Sequence, residues 1–428
     1  MTAQSVPKNP LLIFPGYLLF FLMLVAPTIY QGFKAILLVM VLGGVLFGAI
    51  VRNGGVVRLH RTILRWALFY VTIGVIFILR GAMNDAPGAL RVGTIYVLWP
   101  LLFTLLLGGI DAKTIFNLMR IIIAATFVIC LYSLSFIFNQ MNILPIALFP
   151  DMGLKQTVSF YAGYSRFNSP LFTTIIFSAP FIFTGLIAWY RKREIPVRWW
   201  LLLTVFVLCV VLILFSGRIA MFLVVLLLPG MVYFFNHFVP DFQRRHKRKL
   251  LITICFVSLL SGGMFMRSQY FDLDAGSMMD YILHRLDRGA SALEGDVRKE
   301  QLVVLLDEWA QNPLLGAGHG AVAGGYIRSE TQTWGYEYTY VALLFWVGII
   351  GLAAYSSGVI WIYWMGICII REGGMLSLYM LPIMVGLTSF LIANATNNYL
   401  GTFDFMWVLF LPLAVINHWL IARRGARI

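Results

Sequence analysis

Residues 199–237 read WWLLLTVFVLCVVLILFSGRIAMFLVVLLLPGMVYFFNH, a run whose single charge is Arg218. As one helix at 1.5 Å per residue it would be about 58 Å long, nearly twice the roughly 30 Å of bilayer hydrocarbon. The run therefore has to cross twice, and Ser216 and Gly217 are the turn residues available to reverse it. Working outward, 60% of the 428 residues are hydrophobic, 12% are charged, and mean hydropathy is +0.86. Soluble domains carry about 25% charged residues. This composition excludes a soluble enzyme and specifies an integral membrane protein.

Twelve runs are long and apolar enough to cross, near 11–30, 34–51, 63–80, 94–110, 115–138, 169–190, 199–216, 219–237, 249–266, 339–366, 375–397 and 403–422. The first is longer than a signal-peptide core and is followed by no A-x-A-like site, so it is expected to stay as a span. No repeat of 20 to 50 residues is apparent. With both termini on one side, 18 of the 32 Lys and Arg residues fall on that side, among them RKREIPVR at 191–198 and RRHKRK at 244–249, and 12 fall on the other. The positive-inside rule then puts the termini in the cytoplasm and the 267–338 loop outside. The net charge of +14 is mostly this topological bias, and no nucleic acid is expected as a partner. Cys130, Cys209, Cys255 and Cys368 all lie in expected spans and offer no disulfide framework and no C-x-x-C metal pattern.

The fold class expected is an all-α polytopic membrane protein of about twelve transmembrane helices with one large outer loop containing amphipathic helices. Residues 1–266 hold helices one to nine, 267–338 the loop or lid, and 339–428 helices ten to twelve. The loop carries 11 of the 18 acidic residues. SALE at 291–294 resembles a capping box, Leu302, Leu305 and Trp309 recur at helical spacing, and Asn312 with Pro313 stops the helix. One turn back from Leu302 is Arg298, which places an arginine on the apolar face. Its head is expected to meet either a carboxylate or lipid phosphate, or a phosphorylated ligand in a cavity at the outer membrane face.

Arg218 is the second such cation. Arginine near hydrocarbon costs up to roughly 2.5 to 3.5 kcal/mol, and a turn needs only Ser and Gly. Arg166 in YSRFNSP and Arg288 near a turn of the loop lie on the same side, as does NATNNY at 394–399. Asn397 and Asn398, with Tyr336 and Tyr338 from TWGYEYTY at 333–340, are candidates to hydrogen-bond and stack on sugars. No metal and no cofactor are expected, because arginines on the outer side can supply the positive charge instead.

Arg298, then fourteen residues, then PLLGAGHG at 313–320, a polar segment, and a span containing GIIG at 348–351 resemble the O-antigen ligase and O-antigen polymerase superfamily. The SGR turn at 216–218 is similar to that family's arginine after a span. Ligases of the family typically show His, then Asn or Ser, nine residues, and G-x-x-G. Counted back from Gly348, the histidine position holds Glu337 and the next holds Tyr338. This departure favours a polymerase, or a divergent member that uses a carboxylate.

The resemblance implies a GT-C-like glycosyltransferase of the cell inner membrane with its site facing the periplasm. The implied donor is an undecaprenyl-diphosphate-linked glycan. The acceptor is a lipid-linked repeat unit, or lipid A-core in the alternative ligase reading. Membrane lipids and a chain-length regulator are further expected partners, and a lipid or polar-solute transporter or flippase is a third reading of the topology. In the enzyme readings Arg218, Arg298, Arg166 and Arg288 stabilise the departing diphosphate. Glu337 removes the proton of the attacking hydroxyl, with His319 as the rival base and helix capping or arginine pairing as the structural roles open to Glu337.

Overall fold

The computed structural model describes residues 10–52, 57–140, 156–161, 164–189, 196–216, 219–240, 293–324 and 330–425, with short pieces between 143 and 153 and residues 326 and 327. The expected span at 249–266, the loop up to residue 292 and Arg218 lie outside these residues.

The first half of the chain supplies α1 (Pro10–Val25), α2 (Gln31–Arg52), α3 (Arg61–Met83), α4 (Ala89–Gly93), α5 (Trp99–Leu107) and α6 (Ala112–Gln140). A π turn over Thr94–Leu98 joins α4 to α5, so Ala89–Leu107 forms one apolar rod. Then come β1 (Thr157–Tyr161), β2 (Tyr164–Asn168), α7 (Phe172–Trp189), α8 (Trp199–Ser216) and α9 (Ile219–His237). The described C-terminal part holds α10 (Leu293–Gln311), α11 (Thr339–Glu372), α12 (Gly374–Asn394) and α13 (Trp407–Gly425).

Among the described residues nine helical rods are long and apolar enough to cross a membrane, and Phe14–Val25 and Leu223–His237 are shorter apolar helices at two more expected spans. The chain thus has the architecture of a polytopic membrane protein. The all-α expectation holds except for the antiparallel hairpin of β1 and β2, which pairs Ser159 with Arg166. Cys130 on α6 and Cys209 on α8 face each other as thiols, with Sγ atoms 3.6 Å apart.

Helix α7 is apolar on every side and buried along nearly its whole length, with α12 and α8 packed against it, whereas α2 is peripheral. The α7–α12 contact solves a problem that proline creates in both helices. Pro180 has no N–H for the carbonyl of Ile176, and Pro382 none for that of Leu378. The Ser389 hydroxyl of α12 donates to Ile176 O at 2.6 Å, and the Trp189 indole of α7 donates to Leu378 O at 2.9 Å. In hydrocarbon an unsatisfied carbonyl costs several kcal/mol, so the two prolines bind the helices together reciprocally.

At one end of the bundle Asp404, just before α13, accepts from Thr28 N (2.9 Å), Gln31 Nε2 (2.7 Å) and Lys34 Nζ (2.5 Å). Both charged side chains are about 1% exposed, and Lys34 Nζ also donates to Ala26 O at 2.7 Å. This pair ties the α1–α2 turn, where Thr28 and Tyr30 have positive φ, to the segment between α12 and α13. At the opposite end the Asn417 side chain accepts from His60 N and donates to Arg58 O, and Arg371 lies over Phe238.

Candidate functional site

The site is built on a break in α11. Gly348 has φ 62° and ψ −172° inside an otherwise helical run, a backbone region essentially closed to residues with a Cβ. In an unbroken helix Ile349 N would donate to Phe345 O and Ile350 N to Trp346 O. Both bonds are opened and the PLLGAGHG loop is inserted between their halves. Ile349 N donates to Pro313 O (2.9 Å) and Ile350 N to Leu314 O (3.1 Å), while Ala317 N donates to Phe345 O (2.9 Å) and Gly318 N to Trp346 O (2.7 Å). The two N–H groups and two carbonyls that those bonds would have used are thereby satisfied. A Cβ on Gly316 would lie 2.5 Å from Phe345 O, so the loop glycine and the helix glycine are two sides of one joint.

The loop is fastened equally to α3. His319 N donates to Phe77 O, the Arg80 guanidinium donates to Gly316 O at 2.7 Å, and the Asn84 amide donates to Ala317 O at 2.8 Å. The strap between the loop and α11 is held by aromatic rings. Trp334 packs on Gly88 with Arg91 over its ring, and Trp346 Nε1 donates to Ala321 O.

Helix α10 lies across this joint. Leu305 is fully buried in a cluster with Phe345 and Trp346. The helix ends at Gln311 before Pro313, as the sequence predicts. Arg298 does point inward, and it meets a carboxylate: Nε lies 2.5 Å from Glu337 Oε2, with side chains 33% and 19% exposed. One turn along, Gln301 is 1% exposed, and its Oε1 accepts from Glu337 N (3.0 Å) and Tyr338 N (3.4 Å). Tyr338 is the residue that precedes the first turn of α11, so Gln301 satisfies N–H groups that the helix start leaves free. Two residues of α10 thus hold Glu337, one by its carboxylate and one by its backbone. Sequence reasoning singled out Arg298 and Glu337 and missed Gln301.

The other expected site residues fall into three groups. His319 is fully buried, stacked on Tyr96 at 4.1 Å between ring centroids, with Nε2 3.1 Å from the Tyr355 hydroxyl. Burial pushes its pKa down to about 3, so it is neutral and closed to solvent. Its Nδ1 has no hydrogen-bond partner among the described residues. Tyr336 is also buried, against Phe345 and Trp346, and its hydroxyl accepts from Ala323 N at 2.7 Å; its ring is packing for the strap and presents no face to a sugar. Tyr338 and Asn397 are half-buried and Asn398 is exposed. Asn397 and Asn398 sit in the turn after α12 that Asn394 organises by accepting from Tyr399 N and Leu400 N. The Tyr340 hydroxyl, donating to Leu391 O at 2.7 Å, joins that end of α12 to the start of α11. Arg166 is placed on β2 by its backbone alone, and Arg218 and Arg288 lie outside the described residues.

A half-buried carboxylate with an arginine in contact, at the start of a helix and at one end of an apolar bundle, has the groups to accept a proton and to bind an anion. Compared with known proteins, the sequence matches no family profile and no curated protein.

Proposed function

We propose that the protein is an inner-membrane polymerase of surface polysaccharide that joins glycan repeat units carried on undecaprenyl diphosphate at the periplasmic face. The span at 249–266 would complete twelve crossings, with both termini in the cytoplasm beside the basic loops. In the reaction, the hydroxyl oxygen of one lipid-linked unit forms a bond to the anomeric carbon of another. The bond from that carbon to the diphosphate breaks, and its electron pair leaves with the phosphate oxygen. Glu337 takes the hydroxyl proton. Arg298, with Arg218, which follows α8 in the sequence, balances the charge that grows on the leaving group. Arginine suits this task because its planar fork matches phosphate oxygens and stays charged.

The observation that carries the reading is the joint at Gly348. Arg298, PLLGAGHG and GIIG, which carry the family resemblance, and Glu337, which departs from it, are scattered over some fifty residues of sequence, yet they interlock in one assembly with the arginine and the carboxylate in contact at its edge. Deleting the gene and separating the cell's lipopolysaccharide on a gel tests the reading. Core carrying a single repeat unit is the result expected. Bare core with long chains left on lipid would instead assign the same chemistry to a ligase, and an unchanged ladder would remove both.

A further inference from the structure

In the proposed reaction Arg298 and Glu337 have separate jobs, one toward the diphosphate and one toward the hydroxyl proton. In the structure they are partners, 2.5 Å apart and only partly screened from solvent. An arginine cannot present its fork fully to a carboxylate and to a diphosphate at once. We infer that Glu337 is an intramolecular competitor for Arg298, displaced when an isoprenyl diphosphate binds, so that the carboxylate loses this cationic partner only once the donor is in place. The inference rests on the function proposed above and adds an order of events: donor before acceptor, with base release coupled to donor binding.

Three features of the site make the exchange workable. First, Gln301 holds Glu337 by the backbone and not by the carboxylate, so the residue keeps its position when the arginine leaves. The amide orientation is unambiguous, because only the oxygen can accept from the two N–H groups of Glu337 and Tyr338. Second, Gln301 Nε2 is buried with no hydrogen-bond partner among the described residues, which leaves a donor in reserve beside the rearranging pair. Third, the exposures of 33% and 19% leave the pair open to an incoming anion, unlike Lys34 and Asp404, which are closed off at about 1% each.

The test is a double-mutant cycle of binding, with no turnover involved. Geranylgeranyl diphosphate is titrated calorimetrically into purified wild type, Glu337→Gln, Glu337→Asp, Arg298→Gln and the Arg298→Gln/Glu337→Gln double variant in neutral detergent. Removing the competing carboxylate should tighten binding roughly 3- to 10-fold in Glu337→Gln, the scale of a partly exposed ion pair. Glu337→Asp, which keeps a carboxylate, should bind more nearly like wild type. Arg298→Gln should bind more weakly, and adding Glu337→Gln to it should then change nothing. Binding by Glu337→Gln no tighter than wild type, or the same tightening in the Arg298→Gln background, overturns the exchange while leaving the proposed function standing. Wild type that does not bind geranylgeranyl diphosphate at all, or binds phosphatidylglycerol equally well, overturns the diphosphate ligand and with it both proposals.

Discussion

Replacing Gly348 with alanine should release the PLLGAGHG loop from α11. The new Cβ would sit 2.3 Å from Leu314 O and 2.6 Å from Leu315 N, against backbone that cannot swing aside as a side-chain tip would. The φ of 62° with an extended ψ costs a residue with a Cβ about 1 to 3 kcal/mol, and overpacking against fixed atoms adds about 1 to 3 more. The relief available is to straighten the helix. Ile349 and Ile350 then donate to Phe345 O and Trp346 O in the ordinary ladder, and the loop loses four backbone hydrogen bonds together. At the low end, about 2 kcal/mol corresponds to roughly 30-fold more frequent opening. Hydrogen exchange followed by mass spectrometry, on purified protein in detergent, reads this directly. Peptides covering 313–320 should exchange at least that much faster in Gly348→Ala while 345–350 stays protected. Gly43→Ala on peripheral α2, where a Cβ meets nothing within 4 Å, is the control. Wild-type protection of 313–320 in Gly348→Ala would refute the joint.

Three further outcomes follow from the same geometry. Asp404→Asn should lower the thermal midpoint strongly, because removing one partner of a buried pair leaves the other charge uncompensated at about 3 to 5 kcal/mol; Lys34→Met in the same chain should restore most of the loss. His319 is held neutral in the fold and titrates near 6.5 when unfolded, so the unfolded state binds the extra proton and stability falls as pH drops from about 6.5 toward 3. His319→Gln should therefore flatten the acid side of a plot of thermal midpoint against pH. Lysine at Arg218 or Arg298 should lower turnover at matched protein levels, since a point charge does not reproduce the guanidinium fork.

What could be read from sequence alone was whatever depends on local pattern. The apolar runs located the helices, and the spacing of Arg298, Leu302, Leu305 and Trp309 oriented α10 well enough to send Arg298 inward. Gln301 escaped because glutamine ordinarily faces water and its partner N–H groups are thirty-six and thirty-seven residues away. Lys34 and Asp404 are 370 residues apart, and only their shared oddity, a lone charge at the edge of an apolar run on the same side, could have linked them. The break at Gly348 is silent in the sequence, where one glycine in an apolar helix costs only about 1 kcal/mol. Tyr336 misled for the opposite reason. Its type suits sugar stacking, but Phe345, Trp346 and the N–H of Ala323 occupy it.

The most direct trial of polymerase chemistry at Glu337 supplies purified protein with a polyprenyl-diphosphate-linked repeat unit, in EDTA, and counts new glycosidic bonds against polyprenyl diphosphate released. Wild type should form one bond per diphosphate released and build chains of several repeats. Glu337→Gln should be slower by roughly 10² or more with donor still bound, and Glu337→Asp intermediate. Bond formation at the wild-type rate in Glu337→Gln, or movement of the intact lipid-linked glycan across proteoliposomes with no bond formed, would contradict it.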